Sequence, residues 1–244
     1  MPNWRGYTPL RQAAHLGQTD CVKLLLAHKD TTLALTYKHG YTPLHLAAQV
    51  GLVEMLNEIL QSKSVPVNTQ DDENRTPLHY AVRNSQIECI KALLTQKDID
   101  VNLRDHYGNA PIHAVDYYGG VECIRLLLDH RDIDVNSISG QQQTPLHMAL
   151  IHNNIEVVKA LSAHKNIDVN TKGSNGKTPL HYAVENGNVE QVKELLRHKD
   201  ADVNAKDKYG QTPLSFATHC WYSTRDEIVS LLTQHQMMGN SSSS

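Results

Sequence analysis

The sequence predicts an all-α solenoid whose units are helix, turn, helix and a short β-hairpin loop. Three observations predict it. A tetrad of the form Thr-Pro-Leu-His starts at positions 8, 42, 76, 110, 144, 178 and 212, always 34 residues apart; self-similarity at such a period marks a stacked repeat array. Each tetrad opens a short apolar run that stops at glycine or a small polar residue. Most units close on a Val-Asn pair followed by a turn residue, usually glycine.

The tetrad is a helix entry. It is intact at Thr42-Pro43-Leu44-His45, Thr76-Pro77-Leu78-His79, Thr144-Pro145-Leu146-His147 and Thr178-Pro179-Leu180-His181. It varies at Thr8-Pro9-Leu10-Arg11, Ala110-Pro111-Ile112-His113 and Thr212-Pro213-Leu214-Ser215. A threonine hydroxyl accepts from an orphan helix amide, and proline fits the first helical position because its missing N–H is not needed there. Five residues after the threonine stands a small residue: Ala13, Ala47, Ala81, Val115, Ala149, Ala183 or Ala217. Such a column lets adjacent helices approach closely. Gly17, Gly51, Gly119 and Gly187, with Ser85 and Asn153 as substitutes, then stop the first helix.

The second helix shows apolar residues at helical spacing, as in Ile90, Leu93 and Leu94. It is expected to end near Lys29, Lys63, Lys97, Arg131, Lys165 and Lys199, cations suited to the negative end of the helix dipole. The connection carries Val67-Asn68, Val101-Asn102, Val135-Asn136, Val169-Asn170 and Val203-Asn204, then turn residues Gly6, Gly40, Asn74, Gly108, Gln142, Gly176 and Gly210. An insertion around residues 220–224 predicts a longer inter-helix loop in the last unit, and the serine-rich stretch 237–244 reads as a disordered tail.

These motifs resemble the ankyrin repeat family over roughly residues 3 to 235. A tetratricopeptide array shares the 34-residue period but would lack the proline entry and the Val-Asn hairpin. The family's usual period is about 33; the Lys-Asp-Ile-Asp link here is longer. The resemblance implies a single ankyrin domain over 1–236, with the hairpin tips and first helices lining a concave binding face. It also implies that Asn68, Asn102, Asn136, Asn170 and Asn204 occupy the position that a cellular asparaginyl hydroxylase can modify, beside a hairpin-stabilising role.

Composition, 40% hydrophobic and 20% charged, is ordinary for a soluble globular protein. Net charge is −3, weak and of the wrong sign for an electrostatic nucleic-acid binder. No apolar run approaches the ~18 residues of a membrane span, and the residues from Met1 to Arg5 show no signal-peptide core. The four cysteines, Cys21, Cys89, Cys123 and Cys220, match no metal spacing and read as free thiols of a cytoplasmic protein, or of a host cytosol for an exported one. The tetrad histidines form one column (His45, His79, His113, His147 and His181). Units roughly 10 Å apart cannot bring their nitrogens within about 2.1 Å of one zinc ion, so a structural role is expected. No phosphate-binding, metalloprotease or nucleophile-elbow motif is present.

The sequence therefore predicts a non-catalytic, monomeric scaffold or adaptor without cofactor or metal, binding a protein partner. A bacterial effector acting in a host cell is one subclass, and an inhibitor that occludes an enzyme partner is the alternative. Columns that vary between units are where partner choice can reside, and tyrosine and arginine are favoured anchors. The predicted partner-binding residues are Tyr7, Tyr41, Arg75, His106, Tyr107, Tyr117, Tyr118, His152 and Tyr209, with a hot spot at Tyr107, Tyr117 and Tyr118.

Overall fold

The computed structural model describes residues 40–241 apart from 64, 117–119, 220 and 222, together with isolated positions earlier in the chain. Tyr7, Thr8, Leu10, Arg11, Tyr117, Tyr118 and Cys220 lie outside the described residues. The chain divides into two compact units, Met1–Ile133 and Asp134–Ser244.

In the first unit, α1 (Pro43–Val50) and α2 (Val53–Ser62) form one helix pair, α3 (Pro77–Arg83) and α4 (Ile87–Leu94) the next. A 3-10 helix, Pro111–Asp116, and α5 (Val121–Leu128) form the third. First helices pack on first helices (α1 on α3, α3 on the 3-10 helix), and second helices pack on second helices (α2 on α4, α4 on α5). The second unit repeats the plan with α6 (Pro145–Ile151) and α7 (Ile155–Ser162), α8 (Pro179–Glu185) and α9 (Val189–Leu195), and α10 (Pro213–Thr218) and α11 (Arg225–Ser241).

Each layer is held by the columns read above. Ala47, Ala81, Ala149, Ala183 and Ala217 are fully buried between neighbouring first helices, with Leu44, Leu78, Leu146 and Leu180 beside them. Ile90, Leu93, Ile124 and Leu127, and in the second unit Val158, Leu161, Val192 and Leu195, fill the space between layers. No pair could bury such a face alone, so stacking supplies the stability.

Helix entry and exit follow the expected chemistry. Thr42, Thr76, Thr144, Thr178 and Thr212 all sit at N-caps with extended backbone and proline next. Helix-one exits turn left-handed at Gly51, Ser85, Asn153 and Gly187. At Gly51 a Cβ would meet only the end of the flexible Gln86 side chain, so the left-handed backbone, with φ of 82°, is what favours glycine there. Among the described residues the turn column is left-handed at Gly40, Asn74, Gly108, Gln142, Gly176 and Gly210.

Three details differ from the sequence reading. The hairpins are tight turns, and no strand forms among the described residues; each is closed by a bond such as Asp71 N–H to the Arg75 carbonyl (3.0 Å), too short a pairing for a ladder. Second helices end before the basic residues: α4 stops at Leu94, and Lys97 lies in the turn beyond. Among the described residues of this basic column, Lys63 alone directly caps its helix, with φ of 53°. The last helix runs to Ser241, past the predicted start of the tail at 237. The long inter-helix loop is present: residues 219–224 join α10 to α11, where 84–86 join α3 to α4. No helix among the described residues is long and apolar enough to cross a membrane.

Candidate protein-interaction site

The hairpins present the exposed tips. Their shape is set by a column the sequence reading passed over, at positions 71, 105, 139, 173 and 207. Asp71 Oδ1 accepts from the amides of Glu73 and Arg75 (3.0 and 2.9 Å). Asp105 does the same for Tyr107 and Asn109 (2.9 and 2.8 Å), and Asp207 for Tyr209 and Gln211 (2.8 and 2.9 Å). An aspartate that satisfies its own turn amides fixes the tip that follows. The signal was legible: the aspartate stands three residues before the turn glycine at Gly108 and Gly210.

Three predicted residues sit on these tips. Tyr107 is 64% exposed and Tyr209 69% exposed. His106 is also exposed, its ring edge-on to Tyr107 at 5.7 Å. The His106 amide donates to the Glu73 carbonyl (2.7 Å), tying this tip to the preceding one. In the second unit the Lys208 amide donates likewise to the Asn175 carbonyl (2.8 Å).

The remaining described candidates lie elsewhere. Tyr41 is 2% exposed, which corrects its placement on the binding face. Its ring stacks on His45 (5.3 Å), meets Tyr80 edge-on, and its hydroxyl donates to Gln49. Arg75 occupies the same column one unit on. It is engaged by Asp71 (2.9 Å) and Glu73 (3.0 Å) and lies 5.0 Å from the Tyr80 ring centroid. The residue before each tetrad threonine is thus an underlayer rather than a tip, because its carbonyl closes the hairpin and holds its side chain against the next first helix. His152 is half-buried at the C-terminal end of α6, in the helix-to-helix turn rather than on a hairpin.

The tetrad histidines are buried and couple successive units. At His45, Nδ1 accepts from the Thr42 amide (3.0 Å), so the neutral ring carries its proton on Nε2 and donates to the Arg75 carbonyl of the next unit (2.9 Å). His79 bonds the Asn109 carbonyl, His147 that of Lys177, and His181 that of Gln211 (3.0, 3.2 and 3.0 Å). Burial pushes His45 and His147 down to about 4 and lowers His79 and His181, which keeps them neutral at physiological pH. Burial also pushes the Cys89 thiol up to about 11 and raises Cys123, which holds both as weakly nucleophilic thiols.

A family model described as "Ankyrin repeats" matches in three copies, over residues 12–105, 100–173 and 163–242. The chain belongs to the ankyrin repeat family. Ankyrin repeats generally mediate protein–protein interactions. Among solved structures it is similar to the ankyrin repeat domain of Bcl-3, described as a unique member of the IkappaB protein family, with 26% identity, a TM-score of 0.73, and coverage of 93% of this chain and 99% of that one. It is similar to the ankyrin repeat protein EF0377 (30%, TM-score 0.70, 82% and 99% covered). It is also similar to an ankyrin repeat domain from Acinetobacter baumannii AYE (29%, TM-score 0.71, 80% and 97% covered). No curated protein matches the chain.

The ankyrin asparagines bridge units. Asn68 Nδ2 donates to the Asp98 carbonyl (2.7 Å) while Oδ1 accepts from the Asp100 amide (2.9 Å). Asn136 and Asn170 make the same pair of bonds to residues 166 and 168, and 200 and 202. Asn102 donates to the Asp132 carbonyl (2.6 Å), and Asn204 accepts from Gln236 in α11 (2.7 Å).

Proposed function

We propose that this ankyrin protein is a non-catalytic scaffold or adaptor that captures a protein partner on its hairpin tips and the adjoining first helices. One observation carries the reading: a repeated framework, its turn amides held by Asp105 and Asp207, presents tips that differ from unit to unit, with Tyr107 and Tyr209 exposed on them. Aromatic side chains on a rigid support are efficient anchors, since little side-chain freedom is lost on contact. An effector role in a host cell and occlusion of an enzyme partner are two uses of such a surface. Tyr117 and Tyr118 belong to the same proposed hot spot.

The test is cross-linking of the full chain to a partner recovered from lysate, repeated with Tyr107→Ala and Tyr209→Ala. The expected result is loss of at least one cross-link with an unchanged melting curve; undiminished capture by both variants ends the reading. Hydroxylation of Asn68, Asn102, Asn136, Asn170 or Asn204 is a second proposal. It is supported by their match to the family position and tested by peptide mass mapping of protein from its native cell; unmodified asparagines there would end it.

A further inference from the structure

Resting on that interaction reading, we propose that two consecutive hairpins of the second unit, residues 172–177 and 206–211, form a basic surface that binds an acidic extended segment of a protein partner. Lys172, Lys206 and Lys208 are exposed, and among the described residues none is paired with a carboxylate. Lys172 Nζ donates to the Lys206 carbonyl (2.9 Å), and Lys208 Nζ to the side-chain oxygen of Asn175. Two lysines on the second helices of this unit are paired, Lys159 with Glu190 (2.6 Å) and Lys193 with Glu227 (2.7 Å). The positive charge on these hairpins is therefore left over.

The acidic column explains why. Asp207 is only 7% exposed and spends Oδ1 on its own turn amides, so its carboxylate does not face outward. In the preceding hairpin that position is Gly173, which contributes no carboxylate at all. The hairpin at 71–75 of the first unit is opposite in character: it carries Asp71, Asp72 and Glu73 against one arginine, Arg75, which pairs with Asp71 and Glu73. Beneath the lysines, Lys177 is neutralised by Glu185 (2.7 Å) and lies against the Tyr182 and Phe216 rings, at 5.5 and 5.4 Å from their centroids. It forms a packed floor rather than a free charge.

The surface is preorganised. The two hairpins are joined by the Lys208–Asn175 backbone bond, and Ser174 Oγ donates to the Gln141 carbonyl (2.6 Å). Holding the Lys172 and Lys208 ammonium groups on neighbouring oxygens reduces the ordering cost of binding. Tyr209 stands beside them, its ring centroid 4.9 Å from Lys208 Nζ, and supplies an aromatic anchor. A carboxylate-bearing segment fits better than a nucleic acid. Asp168, Asp200 and Asp202 are exposed on the stretches leading into the same hairpins. A long polyanion would meet them, whereas a short run of Asp or Glu side chains need not. The chain's net charge of −3 also opposes a polyanion.

The test is random-peptide phage display on the full chain and on a K172E/K206E/K208E variant. Peptides from the wild type are expected to be rich in Asp and Glu. A selected acidic peptide should bind the triple variant at least about tenfold more weakly, and should lose affinity between about 50 and about 300 mM salt. A K172Q/K206Q/K208Q variant, which removes charge without reversing it, should show a smaller loss, and it serves alone if the charge-reversed chain fails to fold. A pool without acidic enrichment, or an acidic peptide held equally by the variants, overturns the proposal. So does a labelled oligothymidylate that binds more tightly than the peptide. A neutral or basic pool whose binding is lost with Tyr107→Ala overturns this inference alone and leaves the protein-binding reading standing; a display that yields no binder overturns this inference and counts against both.

Discussion

At Asp71 both carboxylate oxygens are satisfied. Oδ1 accepts turn amides, and Oδ2 accepts from Arg75 (2.9 Å) and from the Tyr80 hydroxyl (2.7 Å). Asp207 keeps only the first half of this arrangement. Gln211 replaces the arginine, Phe216 replaces the tyrosine, and among the described residues Asp207 Oδ2 is buried without a partner. Phe216→Tyr should restore the missing donor and raise stability by about 1–2 kcal/mol, a hydrogen bond to a charged acceptor. An unchanged urea midpoint would show that the register does not carry over. The tetrad histidines give a second prediction. Their folded pKa lies below the ordinary value near 6.5, so the neutral ring is what the fold favours. That stability is complete above about pH 6.5 and is lost as pH falls toward about 4. The urea midpoint should drop steeply between these limits, and a flat profile would show that the rings are not desolvated. At this scale the sequence placed Tyr107 and Tyr209 on exposed tips but misplaced Tyr41. A tyrosine near a turn is compatible with a tip or an underlayer, and only the direction of its Cα–Cβ bond in the fold decides.

The capping box distinguishes the first helices. Where threonine and histidine are both present, each closes on the other: at Thr144 the hydroxyl accepts from the His147 amide (3.4 Å) while His147 Nδ1 accepts from the Thr144 amide (3.2 Å). At Ala110 only the histidine half exists, with the Ala110 amide donating to His113 Nδ1 (3.1 Å), and this segment is a 3-10 helix, Pro111–Asp116, rather than an α-helix. Ala110→Thr is expected to add about 1 kcal/mol and to slow amide hydrogen exchange across 111–116. Exchange as fast as in the parent would mean the helix type is set by packing instead. The irregular tetrad was visible in the sequence. Its structural consequence was not, because an irregular tetrad shows that a cap bond is lost but does not by itself specify which winding the segment then takes.

Each compact unit contains three described helix pairs, and about three repeats is the least that lets stacked faces cover one another. The fragment 134–244 should therefore give a helical circular dichroism spectrum and a cooperative melt when expressed alone; a broad, non-cooperative melt would show that it needs residues 1–133. The 34-residue period, the proline entries, the left-handed stops and the apolar columns were all readable from the sequence, because each is a local requirement repeated in every unit, and repetition separates framework from accident. The direction of a side chain relative to the hairpin was settled by tertiary structure: Arg75 turned onto Asp71, Lys177 folded between Tyr182 and Phe216, Tyr41 buried on His45, and Lys172, Lys206 and Lys208 left without carboxylates. These outcomes depend on what residues about one repeat away offer at the same height, and no local pattern encodes that.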